Sequence, residues 1–211
     1  MLILTSPLLS IVLILSFAFF GALVIRAEKV AAIRNLCLLA SLVALFVGVL
    51  SALSFDKAAA GYQFMDSFNF VPEYNLSFSV GVDGLSFVFL ILTLITFPPL
   101  FLAAWAITKS PKQFFCHLMG IELLLVLTFI TLDLFYFFVL FESLLIPMFI
   151  LIGVWGARNR KIKAAYYFFL YTLFGSLFML FGMMYLYNIT GSLNYYVLLT
   201  YPLTLADQNL I

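Results

Sequence analysis

The sequence predicts an all-α polytopic membrane protein with six transmembrane helices, and three observations carry that prediction. Hydrophobic residues make up 66% of the 211 and charged residues only 9%, with a mean hydropathy of +1.22. A water-soluble domain of this size has too little polar material here to cover its surface. Several apolar runs exceed 18 residues without strand-like alternation, so helices rather than a barrel cross the bilayer. The charges then sort by connection: nine of the ten basic residues fall in alternate connections on one face, which fits the positive-inside rule with both termini on the outer side.

The first helix, 2–25, follows Met1 directly, has no basic stretch before it and is long enough to span. It reads as a membrane helix rather than a cleavable signal. Arg26, Lys29 and Arg34 mark the connection to the second helix, 30–53. The segment that follows carries Asp56, Lys57, Asp66, Glu73 and Asp83 and is assigned to the opposite, outer face. Within it Leu76, Phe78, Val80 and Val82 alternate with Asn75, Ser77, Ser79 and Gly81, the two-residue period of a half-buried strand. With Pro72-Glu73 as a turn and Phe64, Phe68 and Phe70 upstream, a small outer-face β-hairpin is predicted over 61–83.

Asp83 is a good N-cap acceptor and opens the third helix, 84–107. An external ion site at Asp83 is the weaker reading, because capping is what an Asp at a helix start usually does. Lys109 and Lys112 precede the fourth helix, 113–132. A tight turn around Asp133 leads to the fifth, 134–156. Arg158, Arg160, Lys161 and Lys163 precede the sixth, 163–188. The tail, 189–211, is too short and too interrupted by Asn194 and Pro202 to span again, which puts both termini on the outer side. The whole chain reads as a single membrane domain.

Pro98-Pro99 in the third helix and Pro147 in the fifth remove backbone hydrogen bonds. Pro147 frees the carbonyl of Ser143, beside Glu142, and such a carbonyl with a hydroxyl next to a carboxylate is suited to holding a water. Gly175 and Gly182, seven residues apart with Ser176 adjacent, predict close helix packing.

Two carboxylates interrupt the apolar runs: Glu122 in the fourth span and Glu142 in the fifth. An ionisable group at mid-membrane depth costs about 2.5–3.5 kcal/mol on insertion scales, and its default reading is a proton or ion pathway. The two helices form an antiparallel hairpin, with Glu122 eleven residues before Asp133 and Glu142 nine after it. At about 1.5 Å per residue both lie about 14–16 Å from the turn, level with one another, where they can share or exchange a proton. The plainer reading of either is a protonated carboxyl bonding a neighbouring helix. Glu142, flanked by Ser143 and Pro147, favours proton transfer, whereas an auxiliary or structural role suits Glu122 equally well. No Lys or Arg is expected inside the spans, so the cation that would switch such a carboxylate must come from another polypeptide.

Other classes fit poorly. A net charge of +1 argues against a nucleic-acid partner. Cys37 and Cys116 lie in apolar runs and read as inert buried thiols, and the single histidine, His117, supplies no convergent metal-ligand set. It sits one turn from the basic face, as an interfacial residue does. No metal or cofactor site is expected.

Phe141-Glu142-Ser143-Leu144-Leu145-Ile146-Pro147-Met148-Phe149-Ile150-Leu151-Ile152-Gly153-Val154-Trp155-Gly156, followed by Arg158, Arg160 to Tyr166 and Phe169 to Leu173, strongly resembles the subunit 4 family of mitochondrial respiratory NADH dehydrogenase (complex I). Gly81-Val82-Asp83-Gly84-Leu85-Ser86 matches as well. The resemblance covers nearly the whole chain and is most specific between 133 and 175. It implies an antiporter-like subunit of the membrane arm in the mitochondrial inner membrane, with proton movement driven by electron transfer from NADH to ubiquinone. The family's fifth-helix glutamate, a central proton-pathway residue, falls on Glu142, and its fourth-helix glutamate on Glu122. NADH, FMN, iron–sulfur clusters and ubiquinone would serve the complex, with none bound by this chain.

The family fold uses two inverted repeats beginning at its fourth helix, so this chain would hold the opening half. The family's broken seventh helix, buried lysines and second repeat have no counterpart in these 211 residues. Either the subunit is split or this is a truncated product; the expectation is a split subunit whose remainder comes from another membrane-arm chain, and the 26 phenylalanines fit an organelle gene. The alternatives are a subunit of a multi-subunit Na+/H+ antiporter and a non-transporting structural membrane segment. A mere spacer has no reason to bear two buried carboxylates.

Overall fold

Ser6 accepts the N–H of Leu9 on its hydroxyl and Pro7 occupies the first helical position, where its missing donor is no loss. Among the described residues helix α1 runs Pro7–Val24. The computed structural model describes residues 6–56, 59, 61–71, 76–157, 159–203 and 208, with the backbone alone for 68–71 and 76–78. The predicted helical residues 2–5, the Pro72-Glu73 turn and Arg158 lie outside them.

The remaining elements are α2 (Val30–Ser54), strands β1 (Gln63–Val71) and β2 (Leu76–Val82), α3 (Gly84–Ala103), α4 (Pro111–Ile130), α5 (Leu134–Trp155), α6 (Lys161–Thr190) and a short α7 (Tyr195–Thr200). Six helices among the described residues are long and apolar enough to cross a membrane. Their order and number follow the sequence expectation, and the small antiparallel two-stranded sheet is the expected hairpin. The differences are at the ends. Helix α3 tightens into a single 3-10 turn, Ala104–Ala106, after Pro98 and Pro99. Helix α4 starts two residues early at Pro111 and stops at Ile130, because Thr131–Asp133 is extended. The predicted irregular tail holds α7, capped by Asn194 accepting the Tyr196 N–H.

Helix α4 is the hub: it packs against α1, α2, α3 and α5, while α6 packs mainly on α5. Its 18-residue apolar stretch is accordingly 61% buried, against 6% for α5 and 11% for α6. Helix α2 turns a stripe of small residues inward, Cys37, Ser41, Ala44, Gly48 and Ser51, below Ile33. A Cβ on Gly48 would stand 2.6 Å from Leu94 Cδ1 of α3, so absence of a side chain sets the α2–α3 approach. Gly175 and Gly182, the predicted packing pair, meet nothing within 4 Å. Among the described residues α6 packs mainly on α5 and both glycines lie off that contact, while Ser176 is buried.

At one end of the bundle the basic side chains close helix C-termini, whose last carbonyls lack helical donors. Lys112 donates to the carbonyls of Leu23 and Ile25 (2.8 and 2.6 Å), Lys161 to that of Val154 (2.6 Å), and Trp155 Nε1 to that of Lys109 (2.8 Å). Arg34 donates to the Ile107 carbonyl at 2.9 Å and lies over the Phe115 ring, 5.8 Å from its centroid. It sits inside α2, not in the connection before it. The expectation of no basic residue within a span is therefore corrected, although Arg34 stays in the first turns at the basic end.

At the other end the 4–5 turn is a strand in miniature. Leu132 donates its N–H to Ser79 and accepts from Tyr195, while Leu134 donates to Leu193 (2.9, 3.0 and 3.0 Å). The turn is thus laced between β2 and the tail. Val80 and Val82 are buried as the alternation predicts. Gly81, expected on the open face, is buried too, since Leu132 covers it and a Cβ would stand 2.8 Å from Leu132 Cδ1. Tyr62 packs edge-on against the Tyr195 and Tyr196 rings and fastens hairpin to tail.

Asp133 joins these pieces. It is 5% exposed, and its Oδ1 accepts the N–H of Phe135 and of Tyr136 (2.9 and 3.2 Å), capping α5. Burial pushes its carboxyl above the usual carboxylate range, against the lowering effect of those two donors. Asp133→Ala leaves both N–H groups without an acceptor. Loss of such a cap costs about 0.5–2 kcal/mol, so amide exchange at Phe135 and Tyr136 should quicken about 2- to 30-fold. Asp133→Asn keeps the acceptor and sheds the desolvated charge, and its exchange should stay near the wild-type rate.

Candidate functional site

Glu122 lies on the inward face of α4, with Met119, Ile121 and Val126 buried around it on the same helix. It is fully buried, at 0% exposure. Ser41 of α2, equally buried, donates its hydroxyl to Glu122 Oε1 at 2.7 Å, and Oε2 has no hydrogen-bond partner. A buried carboxyl with one satisfied and one orphaned oxygen is stable only when neutral or newly partnered.

Glu142, on α5, is half-buried, and its Oε1 is buried without a partner. Ser143, expected to assist it, instead donates to the Val139 carbonyl of its own helix at 2.7 Å. Ser143 and Pro147 do line a cleft of ≈ 280 Å³ between α1, α4 and α5, which also receives Cys116, His117 and Gly120. His117 itself is half-buried, with Nδ1 bonded to the Gln113 carbonyl at 2.6 Å and its ring beside Trp155. No hydrogen bond joins Glu122 and Glu142 in the described residues. Glu122 is turned to α2 rather than along the α4–α5 hairpin, so equal depth has not made them a bonded pair.

Ser41 escaped the sequence reading. Its signal was present in the small-residue spacing of Cys37, Ser41, Ala44 and Gly48, yet nothing in that spacing names Glu122 as the partner. The two cysteines remain free and buried. Among the described residues no group of three or more His, Cys, Asp or Glu could hold a metal ion.

The chain is similar to known proteins. Residues 131–210 match the family model described as NADH:quinone oxidoreductase/Mrp antiporter, TM, a stretch that includes Glu142 and not Glu122. NADH-ubiquinone oxidoreductase chain 4 of Arabidopsis thaliana is 43% identical over 179 residues, 84% of this chain and 36% of its own. The chain belongs to the NADH-ubiquinone oxidoreductase chain 4 family. A bacterial relative, NADH-quinone oxidoreductase subunit M of Rhodobacter capsulatus, is 36% identical over 205 residues, covering 95% of this chain and 40% of its own. A chain of respiratory complex I from Thermus thermophilus with bound NADH superposes with a TM-score of 0.77 at 24% identity, over 94% of this chain and 40% of that one. That likeness is one of fold: six membrane helices with a small hairpin. The 211 residues span 36–40% of the length of these family members.

Proposed function

We propose that this chain is a proton-translocating membrane-arm component of respiratory NADH:ubiquinone oxidoreductase, with Glu142 and Glu122 as its proton-carrying groups. The supporting observation is the pair of carboxyls set into apolar helices, each with one buried oxygen that no donor satisfies. Groups so placed at membrane depth mark proton relays, and the family membership supplies the reaction that drives them. NADH, FMN, iron–sulfur clusters and ubiquinone belong to other subunits in this reading. The basic end faces the matrix of the mitochondrion and the hairpin end the intermembrane space, with the chain multi-pass in the inner membrane.

Helices α5 and α6 are nearly bare, and relatives are longer. In this reading further membrane helices cover them and bring the cation that switches Glu142. The proposal that a separate polypeptide supplies those helices is decided by size. A band carrying this sequence at 23.8 kDa in the isolated complex supports it, and one about two and a half to three times heavier overturns it.

A second reading, a subunit of a multi-subunit Na+/H+ antiporter, is kept by the matching family model, whose description names both classes. Purification through a tag on this chain separates the two. Recovery of flavin- and iron–sulfur-containing proteins in fixed proportion is the expected result; their consistent absence overturns the complex I assignment in favour of the antiporter.

A further inference from the structure

Most of the bonded hydroxyls in the apolar helices donate back to their own helix. Ser51, Thr93, Thr96, Thr128 and Ser143 each donate to the carbonyl four residues earlier on their own helix. A hydroxyl has a single proton to give, and bonding back to its own helix is the undemanding way to place it in hydrocarbon. Ser41 departs from that habit. It gives its proton across the α2–α4 interface to Glu122 Oε1 at 2.7 Å, with both residues at 0% exposure.

The neighbourhood holds the pair in register. The buried stripe of Cys37, Ala44 and Gly48 on α2 lets the helix approach its neighbours, and Gly48 fits against Leu94 and Ile91 with no room for a Cβ. Of the two Glu122 oxygens, Oε2 is left without a partner.

We propose that Ser41 is a positioning residue for Glu122, fixing Oε1 so that the proton is taken up and released at Oε2 alone. Uptake takes a proton from hydronium, leaving water, and forms an O–H bond at Oε2 that neutralises the carboxylate; release breaks that bond, passes the proton to a water and restores the charge. Ser41 keeps its own proton and its bond to Oε1 in both states. The inference rests on the proton-carrying role proposed above for Glu122 and extends it to a helix outside the matched stretch 131–210.

The test uses sealed membranes holding the assembled complex. The infrared carboxyl band of Glu122 is assigned by its loss in Glu122→Gln, and Ser41→Ala and Ser41→Thr are compared with wild type. Removing the donor to Oε1 should move that band to higher wavenumber in Ser41→Ala and lower proton translocation severalfold. Thr, which retains the hydroxyl, should keep both near wild type; if its extra methyl prevents assembly, Ser41→Cys, a weak donor of similar size, should fall between. A band unmoved in Ser41→Ala overturns the inference, including when translocation falls, since that pattern is one of packing. Unaltered translocation in Glu122→Gln instead overturns the role of Glu122 itself, and the band position still reports the Ser41 contact independently.

Discussion

Glu142→Gln in the assembled complex is expected to cut proton translocation by roughly tenfold or more, because a positioned proton-transfer group typically contributes 10²–10⁴ in rate. Glutamine has the shape and polarity of the glutamate but cannot take and release a proton. The side chain it replaces is half-buried, with a buried Oε1 that no protein donor satisfies, so the substitution breaks no hydrogen bond of the fold. Ser143 is engaged with Val139 and is unaffected. The measurement is protons moved per NADH oxidised in sealed vesicles, with assembly checked on a native gel. Full translocation with normal assembly would remove Glu142 from the pathway. Loss of assembly in Gln, for which the structure gives no reason, would point to structural glue instead.

Gly48→Val is expected to loosen the α2–α3 contact and lower thermal stability. A Cβ at Gly48 already falls 2.6 Å from Leu94 Cδ1 and 3.3 Å from Ile91 Cδ1, and Leu94 is completely buried. Forcing methyl groups into a packed interface costs about 1–3 kcal/mol, since side chains leave their rotamers or helices separate. Separation of α2 from α3 also displaces Ser41, seven residues earlier on the same inward stripe, so the Glu122 infrared band should move together with the loss of thermal stability. Gly84→Ala is the matched control, as nothing lies within 4 Å of its added Cβ. Equal midpoints for thermal unfolding in the two variants would refute the packing account of Gly48.

The contrast among glycines shows where the sequence stops being informative. Gly175 and Gly182 have the spacing of a packing motif and face open space, while Gly48, unremarked in the sequence, sets a helix–helix approach. Spacing along one helix is a local property; whether a neighbour arrives at that face is not. Arg34 makes the same point. Read as a loop charge, it lies within α2 and reaches the Ile107 carbonyl 73 residues away.

Span number and order, the hairpin, the cap at Asp83 and the place of Glu122 and Glu142 within apolar helices were legible in the residues alone. Each depends on composition, periodicity or a neighbour within four positions, and hydrocarbon leaves a chain so apolar few other ways to satisfy its backbone. Tertiary structure decided the rest: that the 4–5 turn is bonded between β2 and the tail, that α4 is the buried hub, and that Glu122 turns to Ser41 rather than to Glu142. Those outcomes turn on which helix faces meet. That is fixed by packing between segments distant in sequence, and no pattern along a single helix carries it.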